Sequence, residues 1–534
     1  MNYITLFIKI LIILQIIVTI CALKDSDYWQ ERQNFINQEK SMQMGNGIHL
    51  NPKEDIVNQV LMSAKYAEFD AGLEDPSSFL PTINFLEAKP LIEQSKVFQL
   101  IKEMPKGAVL HAHDSAIGSE DVFYNLTFMD NLYFCNTTQG EIRFTFSDHR
   151  PRKNLVYAWR ALQKKPFRVV CSEWKLLKDE RAKSENVKVL NDYIKSKLTL
   201  RVADPNSVYT DVNVVWNKFR DIFSTVIPLV TYRPALEKYW FKVFQELYED
   251  HIMYLEFRGT LPPAYDLNGT TYDEIQVAGM YLDVLNRFKQ QYPKFHGARF
   301  IYAPYRRVNN QTCDRYLNII QKLSKKYPDF IAGFDLVGQE DQGEPLSSFA
   351  DKIKTLPNDI RFFFHSGETN WYGESDMNLI DAILLGTVRI GHGYALTKHP
   401  AVLQLVKEER IGIEVSPISN QVLHLVQDLR NHPAAGFIAQ NLPVVISNDD
   451  PGFWGAKGLS YDFYEAFMAF TSRNADLRVL KQLALNSIEF SAMPMEEQGA
   501  ATQKFNEQWA TFIDKVIAQN EISKINETPV AKQQ

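Results

Sequence analysis

Cysteine is scarce in this chain: four in 534 residues, with no C-x-x-C pair. That is too few for a disulfide scaffold, and it removes most cysteine-based zinc modules. An excess of charge is missing too, since 58 Lys and Arg stand against 64 Asp and Glu for a net charge of −6. A chain so balanced carries no nucleic-acid footprint. Beyond the extreme N-terminus there is no long apolar run, which excludes a multi-span membrane protein. Internal repeats and low-complexity tracts are lacking as well. What is present is 45% hydrophobic and 12% aromatic content, enough for a sizeable core and incompatible with global disorder. The length allows three or four domains, or one large barrel with additions.

The one apolar run, Ile4 to Ile20, is broken only by Thr5, Lys9, Gln15 and Thr19, and polar sequence begins at Lys24. It reads as a secretory signal peptide over residues 1–22, which predicts a secreted, extracellular chain with no membrane span after cleavage. An uncleaved anchor is the alternative, but the stretch lies at the short limit for a span and contains Lys9. Five N-x-[ST] sequons, at Asn125, Asn136, Asn268, Asn310 and Asn526, fit a secreted glycoprotein. In an oxidising compartment Cys135 and Cys171, which share one segment, are the expected disulfide, and Cys313 is left odd.

From Gly107 onward, eight β-rich runs recur: GAVLHAH (107–113), IMYLEFRG (252–259), ARFIYAP (298–304), IAGFDLVG (331–338), RFFFHSGE (361–368), VRIGHG (388–393), IGIEVSP (411–417) and PVVISNDD (443–450). Near-continuous apolar strands separated by helical patterning imply parallel βα units. Eight such units predict an α/β fold, a closed (β/α)8 TIM barrel, whose active site lies at the C-terminal ends of the strands. An open doubly wound sheet also alternates in this way but needs no eight regular units. About 140 residues separate the first run from the second, where roughly 30 are expected, so a subdomain is inserted over about 122–220. The insertion carries both paired cysteines, two sequons and a basic run (Arg150, Arg152, Lys153, Arg160, Lys164, Lys165, Arg168). Solvated surface is one reading of that run, and a polyanion or receptor contact is the other. Residues 23–105 are helical in pattern and lie outside the barrel, which spans 106–520, while 521–534 forms a flexible tail.

His111 and His113 end the first run, and positions i and i+2 of a strand point the same way, so both imidazoles face the barrel axis. His365 ends the fifth run and Asp449 the eighth. Three His and one Asp converging on one rim suit a single Zn²⁺, five-coordinate once water is counted, with Fe²⁺ and Mn²⁺ also compatible with these residue types. Glu368 stands three residues beyond His365, His392 lies between Gly391 and Gly393, and Asp450 follows Asp449. Each alone could be a surface carboxylate, a core histidine or a loop acid; together at one rim they read as a site.

The motifs HAHDSA, HSGE, RIGHG and SNDDP, in this order on strands one, five, six and eight, resemble the adenosine deaminases of the amidohydrolase barrel superfamily. The resemblance is closest to the secreted branch, the adenosine deaminase 2 and adenosine deaminase growth factor family. It extends through MPKGAVLHAHD, NVVWNKF, AGFDLVGQED, SPISNQVL, DLRNHPAA and AKGLSYDFYEAF and includes the insertion. One departure is HSGE where HAGE is expected; Ser366 is small enough to disturb neither neighbour. The resemblance implies that His111, His113, His365 and Asp449 hold zinc. By the same carry-over Glu368 donates a proton to purine N1, and His392 orients or deprotonates the attacking water. Asp450 would meet the N7 side, the Gly338 backbone N–H would meet N3, and Asp114 the ribose 5′-hydroxyl. Trp216 would be a ribose-side contact, or else a core aromatic. The implied reaction converts adenosine or 2′-deoxyadenosine to the inosine nucleoside and ammonia. Residues 23–105 would mediate a homodimer, or cap the barrel in cis.

That chemistry needs a strong nucleophile and a protonated acid. A zinc ion makes water nucleophilic near neutral pH, and burial beside carboxylates keeps a glutamic acid protonated. The chain has no H-x-E…P-C-x-x-C signature, which excludes the other class of zinc deaminases. A substrate bearing a 5′-phosphate is disfavoured, because Asp114 would repel it. The competing reading is an extracellular growth factor that acts by binding a receptor or glycosaminoglycan through the insertion, with deamination secondary; growth-factor activity through adenosine depletion would need the site as well.

Overall fold

The computed structural model describes residues 28–137, 140–151, 171 and 173–527, with side chains to residue 520. The expected signal peptide, the basic residues from Arg152 to Arg168 and the side chain of Asn526 lie outside the described residues.

The eight β-rich runs form the strands of one barrel: β1 (Gly107–Val109), β2 (Ile252–Gly259), β3 (Gly297–Tyr302), β4 (Ile331–Phe334), β5 (His365–Ser366), β6 (Arg389–His392), β7 (Gly412–Val415) and β8 (Val444–Ile446). All neighbouring pairs are parallel, in two four-stranded sheets ordered β1-β2-β3-β4 and β5-β6-β7-β8. Two seams join the sheets. At one, the His113 N–H donates to the Asp449 carbonyl at 3.0 Å, and the Asp449 N–H donates to that of His111 at 3.1 Å. At the other, the Phe334 N–H donates to the Arg361 carbonyl and the Phe363 N–H to that of Phe334. These bonds remove both free edges and close the cylinder. The hydrogen-bonded strands are shorter than the apolar runs: β1 stops at Val109, and Ala112 and His113 rejoin the sheet through single bridges to Asp449 and Arg258. The outer helices pack on the strands with amphipathic faces, as in Glu274–Gln291, which opens on a capping box between Asp273 and Gln276.

Between β1 and β2 lies a three-stranded antiparallel sheet with Leu132–Asn136 at its centre, between Ile142–Phe146 and Lys175–Leu176. Cys135 and Cys171 form a disulfide with Cα atoms 5.6 Å apart, covered by the buried Trp174. Cys313 is free and buried. The helix Val212–Val230 carries Trp216 and joins this region to the barrel mouth: Gln339, beyond β4, donates to Asn213 Oδ1 at 3.2 Å.

The N-terminal helices pack in cis on the C-terminal ones. Glu54, in the capping box of Pro52–Glu74, accepts from Trp509 Nε1 at 2.8 Å and Lys481 Nζ at 2.6 Å. Fully buried Lys65 donates to Thr471 Oγ1 and to the carbonyls of Ser472 and Ala475. The helix Tyr28–Met42 differs: none of its residues is buried, and Tyr28, Trp29 and Phe35 are exposed. Among the described residues no helix is long and apolar enough to cross a membrane.

Candidate active site

Four groups of atoms converge where β1, β5, β6 and β8 end. His111 Nε2 lies 3.2 Å from Asp449 Oδ1, and His113 Nε2 lies 3.1 Å from the same oxygen. The His365 ring is centred 4.6 Å from that of His111. Ligand atoms of His111, His365, His392 and Asp449 lie within 4.8 Å of one another, and His113, Asp449 and Asp450 make a second such group. Three of the expected ligands, His111, His365 and Asp449, thus share one group with His392, read from sequence as the water-orienting ring, while His113 falls in the second group and meets the first through Asp449.

These atoms are buried yet short of partners. His111 Nε2, His392 Nε2, Asp449 Oδ1 and Asp450 Oδ1 have no hydrogen bond. Unpaired buried polar atoms are costly, so their convergence calls for a group that satisfies them. The Nε2 atoms of His111 and His365 with the Asp449 carboxylate, all within 4.8 Å of one another, fit a divalent cation of borderline hardness. Burial keeps His365 neutral, far below the ordinary histidine range, whereas the Asp449 and Glu414 carboxylates raise the His111 value despite its burial. Asp449 stays ionised despite its burial, because the His111 and His113 rings lie against it. Neutral imidazole and ionised carboxylate are the forms a metal requires.

Local backbone aims the side chains. His392 and Asp449 have φ of 63° and 55°, a left-handed conformation uncommon outside glycine. Each is the turn by which a barrel strand leaves the sheet, and such strained residues cluster at functional sites.

A charged layer beneath the rim fixes the rings. His111 Nδ1–H donates to Glu414 Oε2 at 2.8 Å, and His365 Nδ1–H to Asp335 Oδ2 at 2.6 Å. Arg258 bridges the two acceptors, donating to Asp335 at 2.9 Å and to Glu414 at 2.7 Å. Arg389 bonds the far oxygen of Glu414 at 2.6 Å and Glu256 at 2.7 Å. Both rings are thereby set with Nε2 as a lone-pair donor toward the centre. Ser419 Oγ holds the second oxygen of Asp449 at 2.7 Å.

Glu368 is buried with one carboxylate oxygen 3.7 Å from His392 Nε2. Its burial, then Asp449, then Glu340, push its pKa well above the ordinary value. Glu340 also positions it, accepting from the backbone N–H groups of Gly367 at 3.0 Å and Glu368 at 2.6 Å. Burial and the adjacent Asp449 likewise keep Asp450 protonated. Asp114 lies against Gly259, where a Cβ would fall 1.9 Å from its Oδ2, and it accepts from the Tyr281 hydroxyl at 3.2 Å. Its burial raises its pKa to about 7. Gly338 adopts φ 108° just after the bridge between Tyr305 and Val337. Trp216 is buried edge-on against Phe219 at 5.2 Å, on the helix tied to Gln339.

Sequence reasoning missed Arg258, Arg389, Glu256, Glu414, Asp335, Glu340 and Ser419. The signal was present: Glu256, Arg258, Arg389 and Glu414 are charges inside otherwise apolar barrel strands, where only paired charges survive.

Residues 195–508 match the family model described as adenosine deaminase, and residues 10–101 match that described as adenosine/AMP deaminase N-terminal. A protein of Lutzomyia longipalpis named adenosine deaminase is 44% identical over 93% of this chain and 95% of its own. Human adenosine deaminase 2 is 41% identical over 91% and 93%. Among solved structures, the arabidopsis N6-mAMP deaminase MAPDA covers 77% of this chain and 99% of its own with a TM-score of 0.53, at 16% identity. An adenine deaminase of Arthrobacter aurescens gives 0.52 at 15% identity, over 76% and 99%. These two likenesses show the barrel fold. The family models and the relatives that match along nearly the whole length place this chain in the adenosine deaminase family.

Proposed function

We propose that this chain is a secreted, zinc-dependent adenosine deaminase that hydrolyses adenosine or 2′-deoxyadenosine to inosine or 2′-deoxyinosine and ammonia. The observation that carries the reading is the buried Glu368 carboxyl, 3.7 Å from His392 Nε2, beside a convergent set of unpartnered His and Asp atoms. His111, His113, His365 and Asp449 would hold one Zn²⁺. Bound there, zinc supplies the Lewis acidity that makes water nucleophilic near neutral pH.

The chain's own residues supply the rest. Glu368 gives its proton to purine N1, which draws electron density from C6 as water oxygen bonds to it. His392 orients that water. Protonated Asp450 donates to N7, and the Gly338 N–H meets N3, so the purine is held by its edges. The C6–N6 bond then breaks: one proton of the water leaves on nitrogen as ammonia, the other restores the Glu368 carboxyl, and the 6-oxo purine keeps the proton at N1. Asp114 receives the ribose 5′-hydroxyl, and an acid at that end disfavours a 5′-phosphate and so favours a nucleoside over AMP; Trp216 flanks the ribose side. Adenosine turnover by purified protein tests the reading, with Glu368→Ala as control and AMP as competitor. Equal rates in the two proteins, or AMP preferred, would overturn it.

The same proposal covers the rest of the chain: a signal peptide at 1–22, an N-terminal segment at 23–105 and a deaminase barrel at 106–520 with its insertion at about 122–220. The disulfide supports an extracellular address. Asn125, Asn136, Asn268 and Asn310 are solvent-exposed, as glycan acceptors must be. The unburied helix Tyr28–Met42, with Tyr28, Trp29 and Phe35 outward, supports a homodimer. Adenosine depletion would give the protein growth-factor activity.

A further inference from the structure

Two buried side chains behind His392 decide which of its nitrogens carries the proton. The Ala434 N–H donates to His432 Nδ1 at 3.0 Å. A backbone amide can only donate, so Nδ1 is the acceptor and the proton of a neutral His432 sits on Nε2. Burial keeps that ring neutral, with its pKa down at about 3. Nε2–H then donates to Asn420 Oδ1 at 2.9 Å. The amide is thereby turned, and its Nδ2–H donates to His392 Nδ1 at 3.1 Å. With Nδ1 accepting, the proton of neutral His392 lies on Nε2. The direction of the chain starts from a main-chain donor, so it does not depend on how the amide is assigned.

We propose that His432 and Asn420 are positioning residues that lock His392 in its Nε2–H form, so that the ring meets the attacking water as a hydrogen-bond donor and not as a base. What the ring does rests on the deaminase reading; which nitrogen is protonated does not. His392 Nε2 has no protein partner and points between Glu368 Oε1, at 3.7 Å, and Asp449 Oδ2, at 3.9 Å. His111 and His365 give their Nδ1 protons to Glu414 and Asp335 and present lone pairs to the centre. His392 presents a proton instead. Three rings of one cluster are thus sorted into two metal donors and one N–H, which stabilises negative charge building on the substrate. Taking a proton at Nε2 would require the whole chain to reverse against the Ala434 N–H.

Ring-nitrogen shifts of ¹⁵N-histidine-labelled protein, metal-free and zinc-loaded, read this directly, with His392 assigned by its loss in His392→Ala. The expected result is a protonated Nε2 and an unprotonated Nδ1; a protonated Nδ1 overturns the proposal. Asn420→Asp accepts from both rings and should move the His392 proton to Nδ1. Its kcat should fall ~100-fold, with KM for adenosine and zinc content little changed. Retention of the Nε2 proton in Asn420→Asp, or a native kcat once it has moved, also overturns it. Should Asn420→Asp not fold, the spectrum of the native protein still decides. Lack of adenosine turnover by the native protein would count against the deaminase reading and leave the tautomer result standing.

Discussion

At the rim of the barrel His111 Nε2, His392 Nε2, Asp449 Oδ1 and Asp450 Oδ1 are buried without partners. One layer below, Arg258, Arg389, Asp335, Glu256 and Glu414 are equally buried but bonded to one another. The contrast shows where the fold tolerates frustration. Unpaired atoms persist at the top because the His111, His365 and His392 rings and the Asp449 carboxylate are gripped from beneath or beside, by Glu414, Asp335, Asn420 and Ser419. The lower layer does no chemistry, and it holds the geometry on which the upper layer's chemistry depends.

Removing a rim group should cost rate and leave the fold intact. Glu368→Gln cannot donate a proton, and kcat should fall by about 10³-fold or more, with Tm little changed. The native enzyme should also lose activity as pH rises through the elevated Glu368 value, since the ionised acid has no proton to give. A rate that stays level far above neutrality contradicts the role. Removing a charge from the lower layer should cost stability first. Arg258→Met leaves Asp335 buried without its paired guanidinium and Glu414 with Arg389 alone, which should destabilise the protein by about 3–5 kcal/mol in denaturant unfolding. An unchanged midpoint would erase the distinction between the layers. Between these extremes, Glu414→Gln keeps a neutral acceptor for His111 and should weaken zinc binding roughly 10–100-fold, read by competition with a chelator.

A third region sharpens the comparison because it is neither gripped nor functional in this account. Glu465 is fully buried with both oxygens unpartnered, and burial raises its pKa from an ordinary 4.5 to about 8. A carboxyl raised on folding contributes stability below its ordinary value and loses it as pH rises through about 8. Glu465→Gln should therefore stabilise the protein at pH ~8 by roughly 1–2 kcal/mol and do little at pH ~5. A neutral or destabilising effect at the higher pH would show that Glu465 has a partner.

The upper layer was largely legible in the sequence, and the lower one was not. His111, His113, His365, Glu368, His392, Asp449 and Asp450 sit at the ends of runs whose period already spells parallel strands, so their convergence follows from the barrel itself. The closure at Ala112–Asp449 and Phe334–Phe362 follows from the count of eight. Which charge pairs with which inside the cylinder depends on strand register and tilt. Thus Arg258 and Glu414, 156 positions apart, could not be matched from patterning. Asn420 and His432 lie in the blocks SPISNQVL and DLRNHPAA, but their action runs through two hydrogen bonds that no spacing rule encodes. Residues 23–105 read as helical from their period, and the packing of their helices in cis from Pro52 onward hinges on single buried groups such as Lys65 and Glu54.

The most direct test of the rim is zinc content and adenosine turnover measured on one preparation. About one zinc per chain, with turnover lost on chelation and restored by zinc in proportion to occupancy, is the predicted result. Folded protein that turns adenosine over at full rate without metal, or that binds zinc and leaves adenosine untouched, would contradict the account.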